Sequence, residues 1–113
     1  MIQSCSFGSI AIDGRNYFSD LIIYPDGLVE DSWRRKSGHR LSIDDIRKLI
    51  ESGPEIIIAG TGINGFVIPE KELEKFLSQK GIQFRHAPNH NAMEIYNELS
   101  TDKRTGACFH LTC

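Results

Sequence analysis

The chain has no run approaching the ~18–20 consecutive apolar residues that a membrane-spanning helix requires, which argues against an integral helical membrane protein and against a membrane partner. Cysteine is scarce. Cys5, Cys108 and Cys113 are odd in number and have no Cys-x-x-Cys spacing, so a disulfide scaffold is not expected. Reduced thiols in a cytoplasm-like compartment fit better. A basic excess is also missing: 13 Lys+Arg stand against 15 Asp+Glu, for a net charge of −2. That balance weighs against a domain built to grip nucleic acid. The opening residues, Met1-Ile2-Gln3-Ser4-Cys5-Ser6, carry neither a basic stretch nor a long apolar core, and no Arg/Ser-rich amphipathic leader. The expected location is therefore cytoplasmic. Internal repeats, linkers and low-complexity tracts are absent.

What remains is an ordinary composition. The 113 residues are 40% hydrophobic and 25% charged, which suits one globular domain with its own core. The first third reads as strands and turns. Gln3 to Phe7 and Ser9 to Asp13 are short strands around Gly8, and Asp13-Gly14 is a hairpin turn. Tyr17-Phe18 leads to Asp20–Tyr24, a central strand, and Pro25-Asp26-Gly27 turns the chain into Leu28–Glu30. Ser32 to Arg40 reads as an irregular, exposed segment.

The rest alternates helix and strand. Ser42 and Asp45 form a short capping box, with Leu41 and Ile46 at hydrophobic-staple positions, and Gly53-Pro54 ends that helix. Glu55–Ala59 is a continuous apolar run suited to a strand buried on both faces. Pro69 opens a second helix to Lys80 with Leu73, Phe76 and Leu77 as its stripe, and Gly81 stops it. Ile82–His86 is a further strand, Asn89 caps a third helix, and Gly106 to Thr112 is the last strand. The expected fold is α/β: a single three-layer domain over residues 1–113. It has a mixed central β-sheet, a C-terminal β-α-β-α-β unit and N-terminal β-hairpins. Right-handed crossovers would gather the helices on one face.

Two segments stand out as candidate sites. Gly60-Thr61-Gly62-Ile63-Asn64-Gly65 matches Gly-x-Gly-x-x-Gly after a buried strand. As a dinucleotide fingerprint it is incomplete. Phe66–Pro69 separates it from the next helix, and the following strand ends Arg85-His86-Ala87 without an acid for a ribose. It is either a sharp structural turn or a small nest of backbone N–H groups for an anion. The other segment is Trp33 with Arg34-Arg35-Lys36-Ser37-Gly38-His39-Arg40, the only charge cluster. It is either a solvated loop balanced by Glu30 and Asp31 or a contact surface for a phosphate, an acidic partner or a nucleic-acid single strand stacked on Trp33. His86 and His90 are separated by a strand-to-helix turn, so metal spacing is weak. Cys108 and His110 are two residues apart on a strand, a possible nucleophile and base, or a small buried hydrophobe beside a polar neighbour.

Five motifs in order carry a wider likeness: Cys5-x-Phe7-Gly8, Ile22-x-Tyr24-Pro25-x-Gly27, Gly60-Thr61-Gly62, Tyr96-Asn97 and the terminal Phe109-His110-x-Thr112-Cys113. Over its whole length the chain resembles the small MTH-type domain family of unknown function, which includes an adipogenesis-associated protein and, more distantly, a mitochondrial complex I assembly factor. The resemblance implies a three-layer α/β domain and brings no reaction, cofactor or catalytic residues with it. Because eukaryotic members are described as assembly or regulatory proteins, it also implies protein binding. The expectation is a non-enzymatic binding or assembly domain, a monomer or weak homo-oligomer. Its contact surface would be Trp33, Arg34, His39 and Arg40 with the Gly60–Gly65 loop. The alternative is a small anionic ligand, or an enzyme acting on one, held by Gly60, Thr61, Gly62, Asn64 and Gly65, with His39, Arg40 or His110 supplying charge or a proton.

Overall fold

A computed structural model of the chain describes residues Met1–Thr112; Cys113 lies outside the described residues. The chain opens with a three-stranded antiparallel sheet, β1 (Ile2–Ser6), β2 (Ser9–Ile12) and β3 (Arg15–Tyr17). Asp13 and Gly14 both take positive φ between β2 and β3, as a two-residue hairpin requires. The central sheet follows: β4 (Leu21–Ile23), β5 (Val29–Glu30), β7 (Ile56–Gly60), β9 (Gln83–Ala87) and β10 (Thr105–Phe109), in the order β5-β4-β10-β7-β9. β7, β9 and β10 run parallel, whereas β4 is antiparallel to β10 and β5 to β4. A two-residue parallel ladder joins β6 (Arg40–Leu41) to β8 (Ile68–Pro69). The helices are α1 (Arg47–Glu51, after a 3-10 turn at Asp44–Ile46), α2 (Lys71–Gln79) and α3 (Asn89–Leu99).

Strand alternation divides the interior into two cores. Ile56, Ile58, Ala107 and Phe109 face α3 (Ala92, Tyr96) and the hairpin (Ile2, Ile10, Ile12). Ile57, Ala59 and Cys108 face α1 (Leu49, Ile50) and α2 (Leu73, Leu77). β7 is buried at every residue, as its unbroken apolar sequence implies. Asn97 ties the hairpin to α3: its side chain accepts from the Ile2 N–H (2.8 Å) and donates to the Ile2 carbonyl (2.8 Å). None of the helices among the described residues is long and apolar enough to cross a membrane.

The helices do not share one face. The path from β7 through α2 to β9 runs outward along the sheet, and the path from β9 through α3 returns across β7 to β10. Crossovers of one hand that lead in opposite directions leave the sheet on opposite sides. Several boundaries also differ from the sequence reading. Pro69 pairs with Leu41 in β8, so α2 starts at Lys71. The Asp45 carboxylate accepts from both Ser42 N–H and Ser42 Oγ, at 2.9 Å each, before the 3-10 turn, so only half of the capping box forms. At the end of α2, Gly81 has φ +75° and the Ile82 N–H reaches back to the Leu77 carbonyl at 2.9 Å, the expected left-handed stop. β10 ends at Phe109, which leaves His110 outside the strand.

Candidate functional site at the carboxyl ends of the parallel strands

β7 sends the chain to one face and β9 to the other, so the gap between their carboxyl ends is the place where open α/β sheets usually receive ligands. Here the chain closes that gap itself. The Thr61 N–H donates to the Ala87 carbonyl (3.0 Å) and the Asn89 N–H to the Gly62 carbonyl (3.0 Å). Asn89 is fully buried. Its Oδ1 accepts from the Gly62 N–H (3.0 Å), and its Nδ2 donates to the His110 carbonyl (2.6 Å). Pro88, not Asn89, is the residue before α3, and the asparagine side chain bridges strand ends instead of capping its own helix. Gly60 is required by this closure: a Cβ there would sit 2.3 Å from the Phe109 ring and 2.6 Å from Asn89 Oδ1.

The Gly60–Gly65 segment is therefore not an open anion nest. Besides Thr61 and Gly62, the Ile63 N–H donates to the Thr112 carbonyl (3.2 Å) and the Gly65 N–H to the Gly62 carbonyl (3.2 Å). Thr61 and Gly62 are buried, and Asn64 is exposed. Those four amides serve the turn, which corrects the expectation that they face a ligand.

A polar cluster lies beside it, where β10 ends next to the start of β4. Asp20 Oδ2 is 2.7 Å from His110 Nδ1, and Asp20 Oδ1 accepts from the Leu111 N–H (2.8 Å). Arg35 Nη1 donates to Asp20 Oδ2 (3.0 Å) and Nη2 to the Gly38 carbonyl (3.0 Å), while Nη2 also approaches His110 Nδ1 (3.0 Å). A carboxylate oxygen 2.7 Å from a ring nitrogen requires a hydrogen between them, so we assign the proton of neutral His110 to Nδ1. Nε2 then carries the lone pair, and Thr112 Oγ1 is 3.2 Å from it. The side chains of Arg35, His110 and Asp20 are 5%, 11% and 19% exposed. Burial alone would push the Asp20 carboxyl up; the hydrogen bonds from His110, Leu111 N–H and Arg35 outweigh it and hold the group below its ordinary value. Arg35 Nε is buried without an acceptor among the described residues.

Trp33 is half-buried, not an exposed contact residue. Its indole N–H donates to the Asp45 carbonyl (2.8 Å), and Arg35 lies over its ring at 5.2 Å. Arg34 and His39 are exposed, and Arg40 is exposed but paired to Glu70 at 3.2 Å. The pairing of Cys108 with His110 does not form. Cys108 lies in the α1/α2 core, where burial pushes its thiol up to about 12, the opposite of an activated nucleophile. His110 instead meets Asp20, Arg35 and Thr112. Sequence reasoning included His110 but missed Asp20, Arg35, Asn89 and Thr112 as its partners. Among the described residues no group of three or more His, Cys, Asp or Glu could hold a metal ion.

The segments singled out in sequence do meet in space. The strap 33–40 reaches His110 through Arg35, the 60–65 loop reaches Thr112 through Ile63, and the two segments continue directly into the β6–β8 ladder. The Gly8 N–H bonds the Leu111 carbonyl (2.7 Å), which brings the β1–β2 turn to the same end.

Residues 2–110 match the family model described as protein of unknown function (DUF498/DUF598). The chain belongs to this family. It is similar over its full length to two solved structures. PH1505, a conserved hypothetical protein from Pyrococcus horikoshii OT3, is 27% identical with a TM-score of 0.89, the match covering 100% of this chain and 99% of that one. The protein MT938 is 32% identical with a TM-score of 0.83, covering 100% and 98%. A Mth938-like domain protein of Bordetella pertussis, at 16% identity and a TM-score of 0.69, covers 98% of this chain and 85% of that one and shares the fold. The MTH-type resemblance and the mixed α/β architecture read from the sequence both hold.

Proposed function

We propose that this family member is a protein-binding domain of the assembly or regulatory kind, which docks its partner across the carboxyl ends of β7 and β10. The observation that carries this reading is the exposure of three phenylalanines on segments that lead to this end of the sheet. Phe7 (69% exposed) sits in the turn bonded to Leu111, Phe18 (75%) stands two residues before Asp20, and Phe66 (58%) follows the 60–65 loop. Large aromatic side chains left in water and rimmed by charge are the usual mark of a contact surface. Arg34 and His39 on the strap supply the polar edge.

The test compares proteins captured by wild type and by Phe18→Ser and Arg34→Ala variants, followed by titration of the purified partner. Binding should weaken at least tenfold while the melting temperature stays within a few degrees, because both side chains are exposed. Unchanged affinity in both variants would refute the surface. A second reading, binding of a small anion, is favoured by the Arg35 Nε donor that lacks an acceptor. A thermal-shift series with inorganic phosphate and acetate tests it: ligand at 100 times its Kd stabilises by about 2.7 kcal/mol. A flat response at millimolar concentration removes this reading.

A further inference from the structure

Asp20, His110 and Thr112 form a chain of successive contacts, and this arrangement goes beyond partner binding. Asp20 Oδ2 lies 2.7 Å from Nδ1, and Nε2 lies 3.2 Å from the Thr112 hydroxyl. The order is carboxylate, imidazole and alcohol, each within hydrogen-bond reach of the next, which is how a weak alcohol nucleophile is activated. Each member is held by something else. Asp20 is fixed by the Leu111 N–H and Arg35, the His110 carbonyl by Asn89, and the Thr112 carbonyl by Ile63. Thr112 is only half-buried, and the exposed Phe7 and Phe18 lie on segments that lead to the same end.

We propose that Thr112 Oγ is a nucleophile and that the protein cleaves small carboxylic esters through a transient acyl-threonine. The hydroxyl oxygen attacks the ester carbonyl carbon while its proton passes to His110 Nε2. The bond from that carbon to the alcohol oxygen breaks, and the imidazolium returns the proton to the departing alkoxide. Water, deprotonated by the same Nε2, then adds to the acyl group. The acyl–Oγ bond breaks, the carboxylic acid leaves and Thr112 regains its proton. Asp20 and Arg35 are positioning residues: they set the ring tautomer and touch no substrate.

The probe is p-nitrophenyl acetate, followed by release of p-nitrophenol and by the mass of the intact protein. Wild type should release the phenol in a burst stoichiometric with protein and gain one acetyl group, which fragmentation places on Thr112. Thr112→Val, nearly the same shape, should fold unchanged and lose the burst, with the rate falling about 100-fold, the usual contribution of a positioned base. Thr112→Ser should restore it. His110→Gln should lose the burst as Thr112→Val does. Acetylation found only on cysteine or lysine, or a Thr112→Val rate equal to wild type, overturns the proposal. Loss of partner capture in the phenylalanine variants with the burst intact would leave it standing, so the two readings fail separately.

Discussion

Replacing Asn89 by alanine tests the closed sheet end most directly. The side chain is fully buried and makes two hydrogen bonds to main-chain groups, from the Gly62 N–H at 3.0 Å and to the His110 carbonyl at 2.6 Å. Alanine removes both partners and offers water no ready way in. Each orphaned buried group costs about 1–3 kcal/mol, so the loss should be about 2–6 kcal/mol. A domain of this size has about 5–15 kcal/mol in total, so the variant should be close to the edge of folding. Urea unfolding followed by circular dichroism reads the change as a lower midpoint at unchanged slope. Asn89→Asp should remain destabilised: the carboxylate still accepts from Gly62 but sets an oxygen against the His110 carbonyl. Asn91→Ala, on the exposed side of α3, should stay within about 0.5 kcal/mol of wild type. An Asn89→Ala loss below about 1 kcal/mol would refute the view that this side chain fills the switch point.

Gly60→Ala should destabilise by about 1–3 kcal/mol, because the new methyl meets the Phe109 ring and Asn89 Oδ1, whereas Gly38→Ala, with open space around it, should be close to neutral in the same unfolding assay. The Asp20 carboxyl is held below its ordinary value of 3.8 in the folded state, so its stabilising contribution is complete above that value and fades as pH falls through the folded one. Urea midpoints measured from about pH 5 downward should show that acid loss reduced in Asp20→Asn, and an unchanged slope would contradict it. Cys108 should resist iodoacetamide in the native protein at pH 8 and react only after denaturation, as read by peptide mapping; native labelling at that residue would show that the α1/α2 core is open.

The elements that local chemistry decides were legible in the sequence. The unbroken Ile56–Ala59 run, the Asp13-Gly14 turn and the Gly81 stop each act within a few residues, and each stands as read. The distribution of helices over two faces was not legible, because it follows from β10 inserting between β4 and β7, a pairing no local pattern records. Asn89 was misread for a related reason. An asparagine after proline is a good cap by every short-range rule, and only the arrival of Gly62 and His110, 27 and 21 residues away, gives it other work. Asp20 and Arg35 lie 90 and 75 residues from His110 and belong to segments whose composition suggested a strand start and a solvated loop. The glycine loop had the right residues for an anion nest; its amides were consumed by Ala87, Asn89 and Thr112, which sequence spacing alone does not reveal.

The position of β10 also bears on how the molecule comes into being. It follows every other element in the chain, yet it occupies the middle of the central sheet, pairing with β4 on one side and β7 on the other. The β4–β5 and β7–β9 pairs cannot be joined into one sheet until this segment has been made. Closure is a late insertion of one segment between them, over loops of high contact order, and is expected to be slow. Without β10 the facing edges of β4 and β7 would lack their partner, and unpaired strand edges favour aggregation.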